Sequence, residues 1–374
     1  FMKNYGYNVS LITSPHPNNH LIAEREGVSI FEVEMSREIN IFKDSVSLIK
    51  LCILIGKIRP DIVNASTPKA GLLGMLASWI NRVPFRIYLL RGLRLETLSG
   101  IKGIILTLTE KISCLCAHKV VCISKSLKDR SLELGIFPEN KAKVLCNGSS
   151  NGVEFHRFEP SSAIQNKGLI IRESFNIKKD SIVIGYVGRI VRDKGIPELL
   201  ESYITVRKNF PDTYLMLIGF FEEGDPIPEP IIERIKQDDH IINVGEVDDP
   251  APYYHAMDIF AFPSKREGFG NAPVEAAAAG KPVVGFRVTG VIDSVNDKVN
   301  GILTDTTNAE QLARSIEHYI ANPETRKAHG QAGVHWAREQ FNQDRLWNEW
   351  ARFYSVPRNE IAEPPRITSC KTTS

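Results

Sequence analysis

What this chain of 374 residues lacks narrows its chemistry. No apolar run approaches the roughly 18–20 residues needed to span a bilayer. The nearest stretch, Leu51-Cys52-Ile53-Leu54-Ile55, is flanked by Lys50 and Lys57. No secretory signal is visible. The six cysteines, Cys52, Cys114, Cys116, Cys122, Cys146 and Cys370, contain no Cys-x-x-Cys pair. They offer neither a zinc site nor a disulfide framework, and a reducing cytosolic setting is expected. The GxxxxGK[ST] spacing of a Walker phosphate loop is missing. Net charge is only +2, and nucleic acid is not an expected partner.

What is present is ordinary globular composition, 43% hydrophobic and 24% charged, in a chain long enough for two cores. The charge is unevenly spread. Residues 1–160 carry 21 Lys and Arg against 14 Asp and Glu, a balance of +7, and the rest carries −5. A basic first half suits an anionic membrane surface or a phosphorylated substrate, and equally a solvated basic face.

Short apolar runs alternate with longer amphipathic ones. Strands are expected at 8–13, 61–65, 85–90, 119–123 and 143–146, with helices at 45–58, 70–80, 101–116 and 124–134, the last capped by Ser124. The polar stretch 152–179 reads as a linker. Alternation then resumes. Strands are expected at 181–187, 214–218, 241–244, 259–262 and 282–286. Helices are expected at 196–209, 231–237, 251–257, 271–279 and 309–321, with one or two more over 326–350. This pattern predicts two consecutive doubly wound α/β domains with parallel sheets, over 1–160 and 161–340. A helix over 341–356 is expected to pack back on the first domain, and 357–374 to be a disordered tail. Such folds bind ligands where strands run into helix N-termini, so the cleft between domains is the expected site.

Two segments carry chemistry. In GYVGRIVRDKG, a strand ends at Gly188, whose missing side chain lets a ligand approach the backbone. Arg189 and Lys194 follow in the loop, a guanidinium and an ammonium suited to a diphosphate. A surface Arg and Lys on an ordinary loop is the bland alternative. In EGFGNAPVEAAAAGKPVVG, a loop with Gly268, Phe269 and Gly270 runs into a helix starting near Asn271, whose free N–H groups can hold an anion. Glu267 precedes that N-terminus and Glu275 lies one turn inside the helix. Both carboxylates can accept from sugar hydroxyls. A carboxylate within the small-residue run at Glu275 needs a partner or a task.

The pairing of these two segments resembles the donor half of glycosyltransferase family 4, retaining enzymes of GT-B fold. Glu267 and Glu275 match its E-x7-E motif. The likeness continues through DIFAFPS, VTGVIDSV and NGIL, and in the first half through STPKAGLLGMLAS and VLCNGSSNGVEFHRF, which look like the capsular and exopolysaccharide branch. It extends to about Tyr354. The resemblance implies two Rossmann-like domains facing across a cleft. It implies that Arg189 and Lys194 bind and stabilise the departing diphosphate, and that Glu267 meets the transferred sugar. Gly268, Phe269 and Gly270 would offer N–H groups, Glu275 would bind the ribose, and Val247 would lie where the base meets backbone. Where the family often has His at the end of a first-domain strand, this chain has Arg91, which cannot serve as a base. The nine histidines, His118 and His156 among them, supply no evident replacement. The family's first strand and Gly-rich acceptor loop are expected before Phe1.

The implied reaction moves a sugar, with retention, from a nucleotide diphosphate sugar, expected to be a UDP-sugar, to a lipid-linked saccharide at the inner membrane face. No carboxylate stands out as a nucleophile. No metal or other cofactor is expected, since no DxD motif lies beside the donor loops and the two cations can meet phosphate charge. Peripheral membrane contact is expected from the basic first half and the apolar helices at 45–58 and 101–116. A sugar-nucleotide 2-epimerase shares this fold but lacks the E-x7-E arrangement. A non-catalytic nucleotide-sugar-binding protein is the other alternative.

Overall fold

The computed structural model describes residues 1–35, 40–93, 95, 100–222 and 224–361. The first half runs β1 (Ser10–Thr13), α1 (Asn19–Glu26), β2 (Ser29–Glu32), α2 (Ile41–Ile58), β3 (Ile62–Ser66), α3 (Pro68–Ile80), β4 (Phe85–Leu90), α4 (Gly100–Cys116), β5 (Lys119–Cys122), α5 (Lys125–Glu133) and β6 (Ala142–Lys143). Strands β3-β4-β5-β6 form one parallel sheet, and β1 and β2 a separate parallel pair. Helix α1 and strand β2 had no sequence signal. Asn19 is the only buried residue among those of α1, so no apolar stripe marks it.

The second half begins with α6 (Phe155–Phe158) and α7 (Ser162–Ser174). These two helices replace the linker expected over 152–179. Polar composition concealed α7, which Ser161 caps and whose Gly168 lies against the His255 backbone. Then follow β7 (Ile182–Val187), α8 (Ile196–Asn209), β8 (Thr213–Ile218), α9 (Glu229–Gln237), β9 (Ile241–Gly245), α10 (Ala251–Ala256), β10 (Ile259–Phe262), α11 (Asn271–Ala278), β11 (Val283–Phe286), α12 (Val291–Ser294), β12 (Gly301–Thr304), α13 (Ala309–Ala321), α14 (Pro323–Phe341) and α15 (Gln343–Ile361). The sheet order is β12-β11-β10-β7-β8-β9, with every pairing parallel. All residues of β8, β10 and β11 are buried, because helices cover both faces of the sheet.

This order is doubly wound about β7. The chain leaves β7 toward β8 on one side and returns to β10 on the other. Their loops therefore diverge and open a crevice at the carboxyl ends of the strands, the topological switch point of such sheets.

Helix α15 crosses back to the first domain. Tyr5 Oη donates to Asn348 at 2.5 Å, Asn64 Nδ2 donates to Tyr354 Oη at 2.6 Å, and the Phe85 and Phe353 rings lie 5.7 Å apart. The helix continues to Ile361, past Pro357 where the sequence reading began a disordered tail; positions 362–374 lie outside the described residues. Among the described residues no helix is long and apolar enough to cross a membrane.

Candidate active site

The switch point puts the two chemical segments side by side. Strand β7 ends in the loop bearing Gly188, Arg189 and Lys194, and β10 ends in the loop bearing Glu267 to Gly270. Gly195 holds the first loop tight. Its φ is +72°, and a Cβ there would stand 2.0 Å from the Pro263 carbonyl oxygen, so only glycine allows the loops this close.

Ion pairs tie the loops together. Lys194 Nζ donates to the Glu267 carboxylate, with both side chains largely shielded. Arg266 donates to Asp193 at 2.8 Å, and Lys265 pairs with Glu198 at 2.5 Å. Three successive residues of one loop thus meet Asp193 and Lys194 of the other loop and Glu198 at the start of α8. Arg189 donates to Glu222, in the loop after β8.

A cavity of about 300 Å³ opens here between the domains. Arg91 and Ile123 line it from the first domain, and Gly188, Lys194, Glu267, Gly268, Phe269, Gly270 and Asn271 from the second. Arg189, Val247 and Glu275 do not line it. Asn271 opens α11 behind Gly270, whose φ of +84° turns the chain into the helix. The N–H groups of the first turn lie at the cavity wall, where an anion is favoured.

Glu275 lies one turn further along α11 and does have a partner. The buried Tyr254 hydroxyl, from α10, donates to its Oε2 at 2.9 Å. Burial pushes the Glu275 carboxyl above its ordinary range, while the Tyr254 bond and the charge of Arg157 oppose that rise. Val247 follows β9, half-buried against the core. The sequence carried no sign of Tyr254 or Glu222, because the pairing joins separate elements that no local spacing relates.

The domains meet directly beside the cavity. Gly268 lies so close to Arg91 that a Cβ would stand 1.9 Å from the Arg91 carbonyl oxygen. Ser124 Oγ donates to the Gly268 carbonyl at 2.6 Å and also caps α5 by accepting from Leu127 N at 3.1 Å. Asp293, on α12, accepts from the backbone N–H groups of Lys125 at 3.0 Å and Ser126 at 3.2 Å. A carboxylate of the second domain so occupies the positive end of a first-domain helix. Ser149 Oγ donates to Asn271 Oδ1 at 3.1 Å. Among the described residues no group of three His, Cys, Asp or Glu could hold a metal ion.

Comparison with known proteins converges on one kind of enzyme. Residues 169–336 match the family described as glycosyl transferases group 1, and residues 2–149 match glycosyltransferase family 4. The chain is 39% identical over 326 residues to the capsular polysaccharide biosynthesis glycosyltransferase CapM of Staphylococcus aureus, covering 87% of this chain and 84% of that protein. It is 24% identical over 292 residues to an Escherichia coli UDP-Gal:α-D-GlcNAc-diphosphoundecaprenol α-1,3-galactosyltransferase, covering 77% of this chain and 73% of that one. Anabaena HepE, solved in complex with UDP-glucose, superposes with a TM-score of 0.79 at 21% identity, covering 95% and 93% of the two chains. That last likeness concerns the fold.

Proposed function

The chain belongs to glycosyltransferase family 4, and from that premise we propose that it transfers a sugar from a UDP-sugar to a lipid-linked saccharide in cell-surface polysaccharide synthesis, with retention at the anomeric carbon. The observation that carries this reading is the interdomain cavity, where Lys194 and Glu267 face the N-terminus of α11. It combines a cation, a hydroxyl acceptor and backbone N–H donors at one crevice, the set a sugar diphosphate needs. The named acceptor of the Escherichia coli relative is diphosphoundecaprenol-linked, which supports the lipid-linked acceptor.

In the proposed reaction, the bond from the anomeric carbon to the phosphate oxygen breaks and its electron pair stays on the phosphate. The acceptor hydroxyl oxygen bonds to the same face of that carbon, and its proton passes to the departing phosphate. Lys194 and Arg189 stabilise the charge that develops there. Glu267 accepts from a hydroxyl of the transferred sugar once Lys194 turns to the phosphate. Gly268, Phe269, Gly270 and Asn271 present backbone groups, Glu275 meets the ribose, and Val247 marks the base. Arg91 stands at the acceptor side of the cavity as a fixed cation for an anionic group.

Peripheral binding to the inner membrane face is part of the same reading. Ile41, Phe42, Ile49 and Ile53 on α2 and Ile101, Ile104, Leu108 and Leu115 on α4 are exposed. These apolar surfaces on the first domain suit a surface that carries the acceptor's lipid.

Product analysis with a labelled UDP-sugar panel tests the function. A glycosylated lipid carrying the donor's anomeric configuration is expected. Free epimer or no turnover would contradict it. Lys194→Ala should lower turnover about 10²–10³-fold with native circular dichroism, and near-normal kinetics would remove the diphosphate assignment.

A further inference from the structure

Both cations given to the donor's diphosphate are already held by carboxylates: Lys194 by Glu267 and Arg189 by Glu222. Glu267 belongs to the E-x7-E pair. Glu222 belongs to no motif; it lies beyond the end of β8, 33 residues after Arg189.

The backbone around this pair is firmly laced. Ile190 N donates to the Phe220 carbonyl at 2.8 Å, and Arg192 N to the Asp225 carbonyl at 3.2 Å. Asp193 N donates to Asp225 Oδ2 at 2.7 Å. Gly219 approaches so closely that a Cβ would stand 1.9 Å from the Gly188 carbonyl oxygen. The Arg189 loop therefore does not need Glu222 to hold it in place. Arg189 is 41% exposed and Glu222 19%, so the guanidinium is open to an incoming ligand on one side.

Charge balance gives the pair its meaning. Asp193 and Glu267 also act on Arg189 through space, but Asp193 is engaged by Arg266 and Glu267 by Lys194. Two cations thus face two carboxylates before any ligand arrives. On the assignment of Arg189 and Lys194 to the diphosphate, a nucleoside diphosphate brings its own negative charges beside both pairs. A guanidinium cannot keep a carboxylate on the face that a phosphate approaches without bringing like charges together.

We infer that Glu222 is the exchangeable counter-ion of Arg189, displaced when the donor's diphosphate binds and returning as the nucleotide leaves. This rests on the assignment of Arg189 to the diphosphate. Glu222 then weakens the hold of the site on nucleoside diphosphate and eases product release. It acts through Arg189 and touches no reacting atom.

A carboxylate that merely oriented Arg189 would have the opposite effect when removed, so the sign of one affinity change decides. UDP and uridine are titrated calorimetrically into the wild-type chain, Glu222→Gln, Glu222→Ser and Arg189→Ala, each checked for native circular dichroism. Both Glu222 variants should bind UDP about three- to tenfold more tightly, a modest gain because the pair is partly exposed. The gain should shrink as salt rises, and uridine binding should not change. Arg189→Ala should bind UDP more weakly. UDP binding that is unchanged or weaker in the Glu222 variants, alongside weakened Arg189→Ala, overturns the counter-ion role alone. Unchanged UDP binding in Arg189→Ala overturns the diphosphate assignment itself.

Discussion

Glu267 and Glu275 differ in what each can release. Glu267 is paired with the Lys194 ammonium, whereas Glu275 accepts from a tyrosine hydroxyl buried in the core. Glu275→Gln keeps an oxygen for Tyr254 but loses charge and acceptor capacity toward ribose. It should weaken UDP binding about tenfold, as loss of one charge-assisted hydrogen bond does. Glu267→Gln should leave UDP binding intact or tighter, because Lys194 loses its competitor, while turnover falls about 10²–10³-fold. Calorimetry with UDP and single-turnover kinetics separate the two, and equal losses of affinity would contradict this division. A third carboxylate, Glu110, bears on stability. It is only 4% exposed, accepts from the buried Tyr88 hydroxyl at 2.7 Å, and burial lifts it from 4.5 to about 7. The folded state therefore holds a proton that the unfolded chain gives up more readily. The stability this contributes is full below pH 4.5 and is lost as pH rises through about 7. The loss amounts to about 3 kcal/mol. Urea midpoints of wild type and Glu110→Gln should be similar at low pH, and the wild type should fall behind by pH 8. A pH-independent difference between them would show that Glu110 does not titrate on unfolding.

The elements that build the crevice were legible because their signals are local. Strand β10 (Ile259–Phe262) and helices α8 (Ile196–Asn209) and α13 (Ala309–Ala321) have the bounds that apolar periodicity gave them. Ser124 caps α5 through its own side chain, as its place before an amphipathic run implies. Helix α7 was read as linker because its sequence, SAIQNKGLIIRES, buries only Gly168. Strand β12 (Gly301–Thr304) went unread as an element, being four residues at the sheet edge. In the candidate site, the glycine loops and charged residues were visible as motifs. The partners Glu222 of Arg189 and Tyr254 of Glu275 were not, because they reach them from a loop and a helix set by the tertiary fold. The close approach of two loops is the most exacting of these relations. Gly268→Ala would place a methyl 1.9 Å from the Arg91 carbonyl oxygen, backbone against backbone. The domains must part there, and the Ser124 bond to Gly268 must lengthen. Turnover should fall at least about tenfold, since an ångström of misplacement at a reacting centre has large effects. Thermal stability of the second domain should change little, and wild-type turnover in this variant would mean that the contact does not set the cleft.

At the scale of the whole molecule, the net positive charge and most of the exposed large apolar side chains fall on the first domain. Its helices α2 and α4 bury one side, including Leu51 and Ile55 of α2 and Glu110, Ser113 and Cys114 of α4. Their outer sides leave Phe42 79% and Ile101 77% exposed, although burying such a side chain is worth about 1.5–3 kcal/mol. Trp79 and Ile80, at the end of α3, are exposed as well. Lys43, Lys50, Lys57, Arg82 and Lys111 are exposed on the same helices or next to them. Arg86 turns inward, donating to the carbonyls of Cys116 and Val83 at 2.7 Å each, and Arg94 and the Lys102 side chain lie outside the described residues. Among the described residues the face therefore combines large apolar side chains with these exposed cations. Each cation near an anionic surface contributes on the order of 1 kcal/mol, decreasing with salt, whereas apolar insertion does not decrease. Binding to anionic vesicles should accordingly persist in part at high salt. Phe42→Ser with Ile49→Ser should remove the salt-resistant part, and Lys50→Glu with Lys57→Glu the salt-sensitive part. Flotation with phosphatidylglycerol vesicles at low and high salt measures both. Protein that stays at the bottom of the gradient at low salt would sink the membrane-docking reading of this face, while turnover on a short-chain, detergent-soluble acceptor would still report on the cleft.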